Sequence, residues 1–406
     1  MHAEIILTGT ELLLGEIVDT NSTMLARMLR EIGLDLFYKT TVGDNERRIK
    51  EVVDLALNRS DVVIVSGGLG PTVDDVTRQG VALATGRKLV YSKALETQIE
   101  ARFRSFGRKM GENNKRQAWI PDGATPVENP VGTAPCFIVH DPRGVVICLP
   151  GVPRELKYQM KHAVIPFLKE HIGDEQIIET RVLRTCAIGE SDLDRRIGDL
   201  MYDQNPTVGL AAHPGQVDIR LAAKGKNRAE TAALIAPVEA ELRQRLGSAI
   251  YGVGQVSVAE VVGHLLAEND LTLAALDTLS RGQIADSLVE AGFASHLKGD
   301  HRPLQVEDAP LAVGLAGNSL SQNPGQAAQD IARKLAQEAD LGLAVVGPLV
   351  ENGQNGISYL AISDGETVAF RRYQYGDSGL IKTWLSIRAL DLVRRWVLGK
   401  IDQTFG

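Results

Sequence analysis

The chain has 406 residues, which exceeds one ordinary domain, so we expect two or three domains, each with its own core. Apolar residues make up 44% and charged residues 23%, a balance typical of soluble globular proteins. The formal charge of −7 leaves no basic surplus for nucleic acid, although a small phosphorylated ligand needs only a local site.

The cysteines, the histidines and the N-terminus narrow the class of protein further. Three scattered cysteines, Cys136, Cys148 and Cys186, without a C-x-x-C pair, indicate reduced, buried thiols in the cytoplasm. The N-terminus has no basic-then-apolar signal, and no apolar run approaches the roughly 20 residues that span a bilayer. The histidines form no H-E-x-x-H pattern, so we expect no zinc site; any metal should be a hard cation held by carboxylates.

Strand and helix signals alternate over residues 1–170. Apolar runs predict strands at AEIILTG, DLFYKTTVG, DVVIVSGG and GVVICLPGV. Helical periodicity predicts helices at TNSTMLARMLREIG, NERRIKEVVDLALNRS, the segment after Asp75, residues 93–106 and a segment from about Arg154. This β-α-β-α order predicts a mostly parallel sheet with helices on both faces, a three-layer α/β domain.

Residues 171–250 have a different pattern, and YGVGQ after them resembles a linker. Strands are predicted at IIETRVLRT, PTVGLAAHP and QVDIRLAAK, with helices at ESDLDRRIGDLMY and 227–246. This is the pattern of a small α+β unit.

The remainder again predicts an α/β domain. Ser257 and Glu260 have capping-box spacing at the start of its first helix. Strands are predicted at LTLAALD, LGLAVVG, ISYLAIS and around Phe370 and Tyr373, with helices at RGQIADSLVEAG, 325–338 and up to about 398. Residues 299–310, GDHRPLQVEDAP, are predicted to form a surface loop.

The stretch SGGLGPTVDDVTRQG, residues 66–80, lies at a strand-to-helix turn of the first domain. Glycines there let backbone N–H groups approach an anion, and the following helix favours negative charge. The stretch is neither a Walker loop nor G-x-G-x-x-G. A structural interpretation stays open, since Thr72 and Asp75 have capping-box spacing.

Other polar turns follow other strands of this domain. They are LTGTELLLGEIVDTN with Thr8, Gly9 and Glu11, TVGDN with Asp44, NPVGTAP with Asn129, Gly132 and Thr133, and LPGVPREL with Gly151 and Glu155. Because the strand ends of such a sheet share one edge, these turns could converge with Asp75 on a site. Asp44 could instead cap the helix that follows it.

Together these turns resemble the CinA (competence/damage-inducible) family. Residues 1–170 are similar to its molybdopterin-binding-like domain, 171–252 to a KH-like domain and 253–406 to the CinA C-terminal domain. The resemblance implies ADP-ribose pyrophosphatase activity in the first domain, with AMP and ribose 5-phosphate as products. It also implies a divalent cation (Mg²⁺, Co²⁺, Mn²⁺ or Ni²⁺) and leaves a role for K⁺ open.

The same resemblance assigns site residues. Asp44 and Asp75 match the two aspartates that matter in related domains, and we expect them to position metal or water, with Glu11 and Glu155 as further metal-ligand candidates. The phosphate-binding candidates are Thr8, Gly9, Gly67, Gly68, Gly70, Thr72, Asn129, Gly132, Thr133 and Gly151. Such groups suit pyrophosphate hydrolysis, which requires charge neutralisation and an oriented water.

The C-terminal domain departs from the nicotinamide-mononucleotide deamidases of the family. Their serine nucleophile corresponds to Thr278 in DTLSRG, and their Tyr-Ser-Asn-x-x-Lys segment has no counterpart in SHLKGDHRPLQ. Their Gly-Ile-Ala-Gly-Pro loop is AVVGP here, and YGDSG has Ser378 where an arginine is expected. We therefore expect an inactive module, structural or dimer-forming.

The remaining expectations concern partners. The turn IGESD in the KH-like segment has no second glycine, so we expect no nucleic-acid binding there. Trp384 and Trp396 are expected to lie in the core or in a subunit interface, and the protein is expected to form a homodimer. Two alternatives stay open: a non-catalytic pterin or nucleotide sensor, and amidohydrolase chemistry at Thr278.

Overall fold

The structure is a computed structural model that describes residues 1–172, 176–317, 319–351, 354–376 and 379–401. The chain divides into two compact units. The first unit is Met1–Glu179 with Lys224–Ala232, and the second is Thr180–Ala223 with the residues from Ala233 onward. The division into three domains, at 170/171 and 252/253, stays a prediction.

The first unit is built on a six-stranded sheet. The strands of this unit are β1 (His2–Thr8), β2 (Asp35–Val42), β3 (Val62–Ser66), β4 (Leu89–Tyr91), β5 (Trp119–Pro121), β6 (Thr125–Val127), β7 (Cys136–Asp141) and β8 (Gly144–Leu149). The sheet has the order β2-β1-β3-β8-β7-β6, while β4 and β5 form a separate pair. Four neighbouring strands, β2, β1, β3 and β8, run parallel, as predicted.

The strand register places four strand ends side by side. Thr8 pairs with Val42, Leu7 with Ser66, and Ser66 with Leu149. The turns that follow β1, β2, β3 and β8 therefore leave the sheet at the same edge, where ligands bind in open α/β sheets.

Helices cover both faces of this sheet. They are α1 (Thr10–Leu13), α2 (Asn21–Glu31), α3 (Glu46–Leu57), α4 (Thr77–Ala84), α5 (Lys93–Ser105), α6 (Pro153–Gln159) and α7 (Ile165–Ile172), with a 3₁₀ helix at Glu112–Ala118 and a π-helix at Met160–Val164. Along β3, Val63 and Val65 belong to one buried cluster with residues of α3, α4 and α5. Val62 and Ile64 belong to a second cluster with residues of α2 and α6, so the predicted three-layer arrangement is confirmed.

The sequence did not predict strand β7. It pairs antiparallel with both β8 and β6, so the sheet is mixed at this side. Its segment, CFIVHD, is short and is joined to β8 by a two-residue turn, which gives little periodic signal.

The second sheet contains a strand where a linker was predicted. Its strands are β9 (Ile177–Cys186), β10 (Thr207–His213), β11 (Gln216–Gly225) and β12 (Ile250–Val253), in the order β10-β11-β9-β12. The prediction of a linker at YGVGQ is wrong for its first residues, because Tyr251–Val253 lie in β12, and Gly252 and Val253 pair with β9. Tyr251 is buried, which favours the strand over an exposed linker.

The third sheet is mixed and has five strands. They are β13 (Leu273–Asp277), β14 (Leu297–His301), β15 (Leu341–Glu351), β16 (Gln354–Ser363) and β17 (Val368–Gln374), in the order β14-β13-β15-β16-β17. The predicted loop at 299–310 is wrong at both ends. Residues 299–301 belong to β14, and 306–308 form a 3₁₀ helix. Residues 297–301 form a strand despite their polar sequence because they pair in parallel with the buried strand β13.

The helices that accompany these two sheets include the six that were predicted and two short ones, at 309–312 and 319–322, that were not. They are α8 (Glu190–Ile197), α9 (Arg228–Leu246), α10 (Val258–Glu268), α11 (Gln283–Glu290), α12 (Ala309–Ala312), α13 (Ser319–Gln322), α14 (Pro324–Leu335) and α15 (Ile381–Val397). The Ser257–Glu260 capping box is confirmed at the start of α10, with both reciprocal hydrogen bonds present.

Individual side chains agree with several expectations. All three cysteines are buried and unpaired. Trp384 and Trp396 on α15 pack against the main core of the second unit. Among the described residues, no helix combines the length and the apolarity that crossing a bilayer requires.

Candidate functional site

A cavity of about 420 Å³ opens at the shared strand edge of the first unit. All but two of the predicted site residues line it; these are Thr8, Gly9, Glu11, Asp44, Gly67, Gly68, Gly70, Thr72, Asp75, Thr133, Gly151 and Glu155. Asn129 and Gly132 are the two that do not. The structure thus places turns from four strands and one loop around one space.

The glycine turn after β3 is packed tightly against the end of β1. Gly67 has φ of +111° and Gly68 has φ of +61°, backbone conformations that residues with a side chain rarely adopt. A Cβ on Gly67 would lie 2.3 Å from the backbone oxygen of Thr8. Only glycine therefore lets the turn come this close to the neighbouring strand.

The turn also leaves backbone donors free. The Gly67 N–H donates to the Leu149 carbonyl, whereas the N–H groups of Gly68, Leu69 and Gly70 donate to no atom of the described chain. All three of these residues line the cavity. Free amides at a strand-to-helix turn are suitable ligands for an anionic oxygen.

Arg78 on α4 supports the same turn, a role that its position in the sequence did not predict. Its guanidinium donates to the carbonyl of Leu69 and, at 3.3 Å, to that of Gly70, while only 3% of the residue is exposed. Burial lowers the pKa of Arg78 to about 10, and the carboxylate of Asp75 opposes that shift. The sequence alone predicts an arginine at a helical position to be exposed to solvent, so it did not indicate that Arg78 is buried against the glycine turn.

Asp75 does not cap a helix, so the capping-box interpretation is wrong. Its Oδ2 accepts from the Thr72 N–H at 2.9 Å and from the Thr72 hydroxyl at 2.5 Å, but α4 begins only at Thr77. The two residues close a local turn instead. Oδ1 of Asp75 receives no hydrogen bond from the described residues.

Asp44 has a similar arrangement. The N-cap of α3 is Asn45, which accepts from the Arg48 N–H, so the expectation that Asp44 caps this helix is wrong. The Asp44 Oδ2 instead accepts from the N–H and hydroxyl of Thr10, at 2.8 and 2.9 Å. Its Oδ1 is likewise without a partner in the part of the chain that is described.

Glu155 and Glu11 complete the acidic lining. Asn129 donates to Oε2 of Glu155 at 2.6 Å, and a Cβ on Gly132 would lie 2.0 Å from the same oxygen. Asn129 and Gly132 thus contact the carboxylate of Glu155 and do not line the cavity themselves. The Glu11 carboxylate lies against Gly9, where a Cβ would come within 2.6 Å of Oε1.

The charged side chains described in the lining of the cavity are all negative. Its described lining contains five carboxylates and neither lysine nor arginine; the acids are Glu11, Asp44, Asp74, Asp75 and Glu155. Asp74 and the buried Gln117 are lining residues that the sequence analysis did not assign to the site. A phosphate ligand would meet repulsion here unless a cation accompanied it.

These carboxylates fit the hard divalent cation that the resemblance implies. Within the described ranges, no three His, Cys, Asp or Glu side chains lie close enough to form a ready-made metal cage. Mg²⁺ commonly binds one or two carboxylates together with phosphate oxygens and water. The residues therefore fit a cation shared between the protein and a bound phosphate.

Thr278 in the second unit has no comparable freedom. Its hydroxyl donates to the Gly347 carbonyl at 2.6 Å and accepts from the Gly347 N–H at 2.9 Å. The neighbouring Asp277 is buried and accepts from the N–H groups of Leu279 and Ser280. Ser378, where the family has an arginine, lies outside the described residues.

Comparison with known proteins gives matches along the whole chain. A family model described as "Probable molybdopterin binding domain" matches residues 4–170, and one described as "Damage-inducible protein CinA KH domain" matches residues 180–252. A "Putative competence-damage inducible protein" of Symbiobacterium thermophilum is 36% identical, covering 99% of this chain and 100% of the relative. A "CinA-like protein" of Dictyoglomus thermophilum is 34% identical, covering 98% and 100%.

Solved structures similar to this chain each cover about two fifths of it. The protein CinA of Thermoplasma acidophilum is 34% identical with a TM-score of 0.38, covering 41% of this chain and 96% of that one. The molybdopterin biosynthesis enzyme MoaB of Thermus thermophilus is 19% identical with a TM-score of 0.31, covering 42% and 93%.

Proposed function

We propose that this chain, which belongs to the CinA family, hydrolyses the pyrophosphate bond of ADP-ribose in its first unit, using a divalent cation. The observation that carries the proposal is the combination, in one cavity, of free backbone amides and a described lining whose charged side chains are all acidic. Amides favour an anion, whereas five carboxylates favour a cation. A pyrophosphate that arrives with a metal ion satisfies both.

The residues of the chain have separate tasks in this proposal. The N–H groups of Gly68, Leu69 and Gly70 bind one phosphate oxygen, and Arg78 keeps their turn in shape. The Oδ1 atoms of Asp44 and Asp75 are free to bind a cation or to accept a hydrogen bond from the attacking water. When bound, the cation neutralises phosphate charge and lowers the pKa of a water ligand.

The reaction balances with water alone. The water oxygen forms a bond to one phosphorus, and the bond from that phosphorus to the bridging oxygen breaks. The bridging oxygen leaves on the other phosphate, and the protons of the water pass to the products and solvent. AMP and ribose 5-phosphate are the products.

Removal of divalent ions is expected to stop AMP release from ADP-ribose. The described lining of the acidic cavity has no cationic side chain that could replace the metal, so the rate should fall to background in excess EDTA. AMP is measured by chromatography, and Mg²⁺, Mn²⁺, Co²⁺ or Ni²⁺ in excess over EDTA should restore the rate. An equal rate in EDTA would contradict the proposed role of the metal.

We further propose that the second unit has no deamidase activity, because the Thr278 hydroxyl donates its hydrogen to the Gly347 carbonyl and accepts from the Gly347 N–H. A nucleophilic hydroxyl needs a positioned base, and none of the hydrogen bonds described for Thr278 reaches one. The full chain is expected to release no ammonia from nicotinamide mononucleotide. Ammonia release that Thr278→Ala abolishes would contradict this proposal.

Two accompanying proposals concern the state of the protein. The free, buried cysteines support a location in the cytoplasm, where thiols stay reduced. A homodimer remains our expectation for the assembly.

A further inference from the structure

A second cavity, of about 410 Å³, adjoins the acidic one. The two cavities share Thr72 and Asp75 as lining residues. A ligand that occupied both would therefore pass the Thr72–Asp75 turn. Nothing in the proposed reaction uses the second cavity.

The lining of the second cavity differs in character from that of the first. It contains Arg78 and Arg116, with Asp75 as its one described carboxylate, and it has apolar surface from Leu89, Val73 and Trp119. Trp119 is 42% exposed, a large fraction for an indole. The cavity thus offers an aromatic ring and cationic groups beside a site for phosphate.

The position of Trp119 is fixed by its neighbours. It pairs with Tyr91 between β4 and β5, and the two rings meet edge to face with centroids 5.4 Å apart. The ring is therefore held in place while much of it remains exposed to solvent. A rigid, exposed ring is a stacking platform that loses little conformational freedom on binding.

Two buried polar atoms in the same lining lack partners. The Oε1 atom of Gln79 and the Nε atom of Arg78 make no hydrogen bond among the described residues. Unsatisfied buried polar atoms are costly, so each such atom calls for an explanation. Both atoms are shielded from solvent, so a ligand in the cavity reaches the Gln79 oxygen only if this side chain moves.

We propose that the second cavity binds the purine nucleoside half of the substrate, with the base stacked on Trp119. This inference rests on the proposed function, because it takes the pyrophosphate to lie in the acidic cavity across the shared turn. A purine has the flat π-surface that stacking on the exposed Trp119 ring requires, whereas ribose 5-phosphate has none. The sugar phosphate therefore extends from the acidic cavity in another direction.

Calorimetric titration of the full chain with AMP, adenosine and ribose 5-phosphate tests this assignment. Trp119→Ala is expected to raise the Kd for AMP and adenosine about tenfold while leaving that for ribose 5-phosphate unchanged. Because Trp119 is exposed, the variant should fold. Tyr202→Ala removes another exposed aromatic residue, 89% exposed in the second unit, and should change none of the three values.

The outcomes separate the two proposals. If Trp119→Ala leaves the Kd for AMP unchanged, or if neither AMP nor adenosine binds, the nucleoside assignment is overturned even when ADP-ribose is hydrolysed. If AMP binding depends on Trp119 but ADP-ribose is never hydrolysed, the nucleoside site stands and the proposed reaction fails. A loss of ribose 5-phosphate binding instead would place the sugar phosphate, not the base, in the second cavity.

Discussion

Asp75→Asn is expected to reduce the turnover number for ADP-ribose hydrolysis by about 10²–10³-fold. Asparagine has nearly the same shape and can still accept the hydrogen bonds from Thr72, so the turn should keep its geometry. The substitution removes the negative charge and replaces the free carboxylate oxygen that is proposed to bind the cation or the attacking water. The rate of AMP formation is measured at saturating ADP-ribose and Mg²⁺.

Asp122→Asn provides the matched control. Asp122 is an exposed aspartate of the same unit that lines neither cavity, so its substitution should leave the rate unchanged. Because Asp75 also lies near the buried cation of Arg78, thermal unfolding of each variant is measured in parallel. A folded Asp75→Asn protein with the original rate would remove the catalytic assignment.

Gly67→Ala is expected to lower the free energy of unfolding of the first unit by about 2–5 kcal/mol. Two causes act together. Alanine is strained at φ of +111°, and its Cβ would come within 2.3 Å of the Thr8 backbone oxygen, which cannot rotate away. Urea unfolding, followed by far-ultraviolet circular dichroism, measures the change.

Gly86→Ala separates the two causes. Gly86 has φ of +64°, yet its added Cβ would meet nothing within 4 Å. Gly86→Ala should therefore lower the free energy of unfolding only through backbone strain, by about 1 kcal/mol. Equal losses in the two variants would mean that the turn after β3 moves freely away from β1, against the tight packing described above.

The sequence predicted the parallel part of the first unit well because three of its strands, β1, β3 and β8, are buried along almost their whole length. Runs such as VVIVS are apolar up to their last residue, and each is followed by a helix with clear periodicity. The parallel order then places the strand ends at one edge. That step alone brought the glycine turn, Asp44 and Glu11 to one predicted site.

Predictions from the spacing of nearby residues were wrong where contacts between distant residues determine the structure. Thr72 and Asp75 have the spacing of a helix cap, but the helix starts two residues beyond Asp75. Asp44 precedes a helix, but Thr10, 34 residues earlier in the chain, provides its hydrogen bonds. The spacing of residues along the chain does not report contacts between distant residues. For the same reason the sequence did not predict the role of Arg78 or the strand β14.

The central claim is that a pyrophosphate bond breaks in the acidic cavity, and phosphorus NMR observes that bond directly. With the full chain, ADP-ribose and Mg²⁺, we predict that the pyrophosphate resonances disappear and two monophosphate resonances grow at equal rates. Pyrophosphate resonances that persist with Mg²⁺, Mn²⁺, Co²⁺ and Ni²⁺ in turn would contradict the claim.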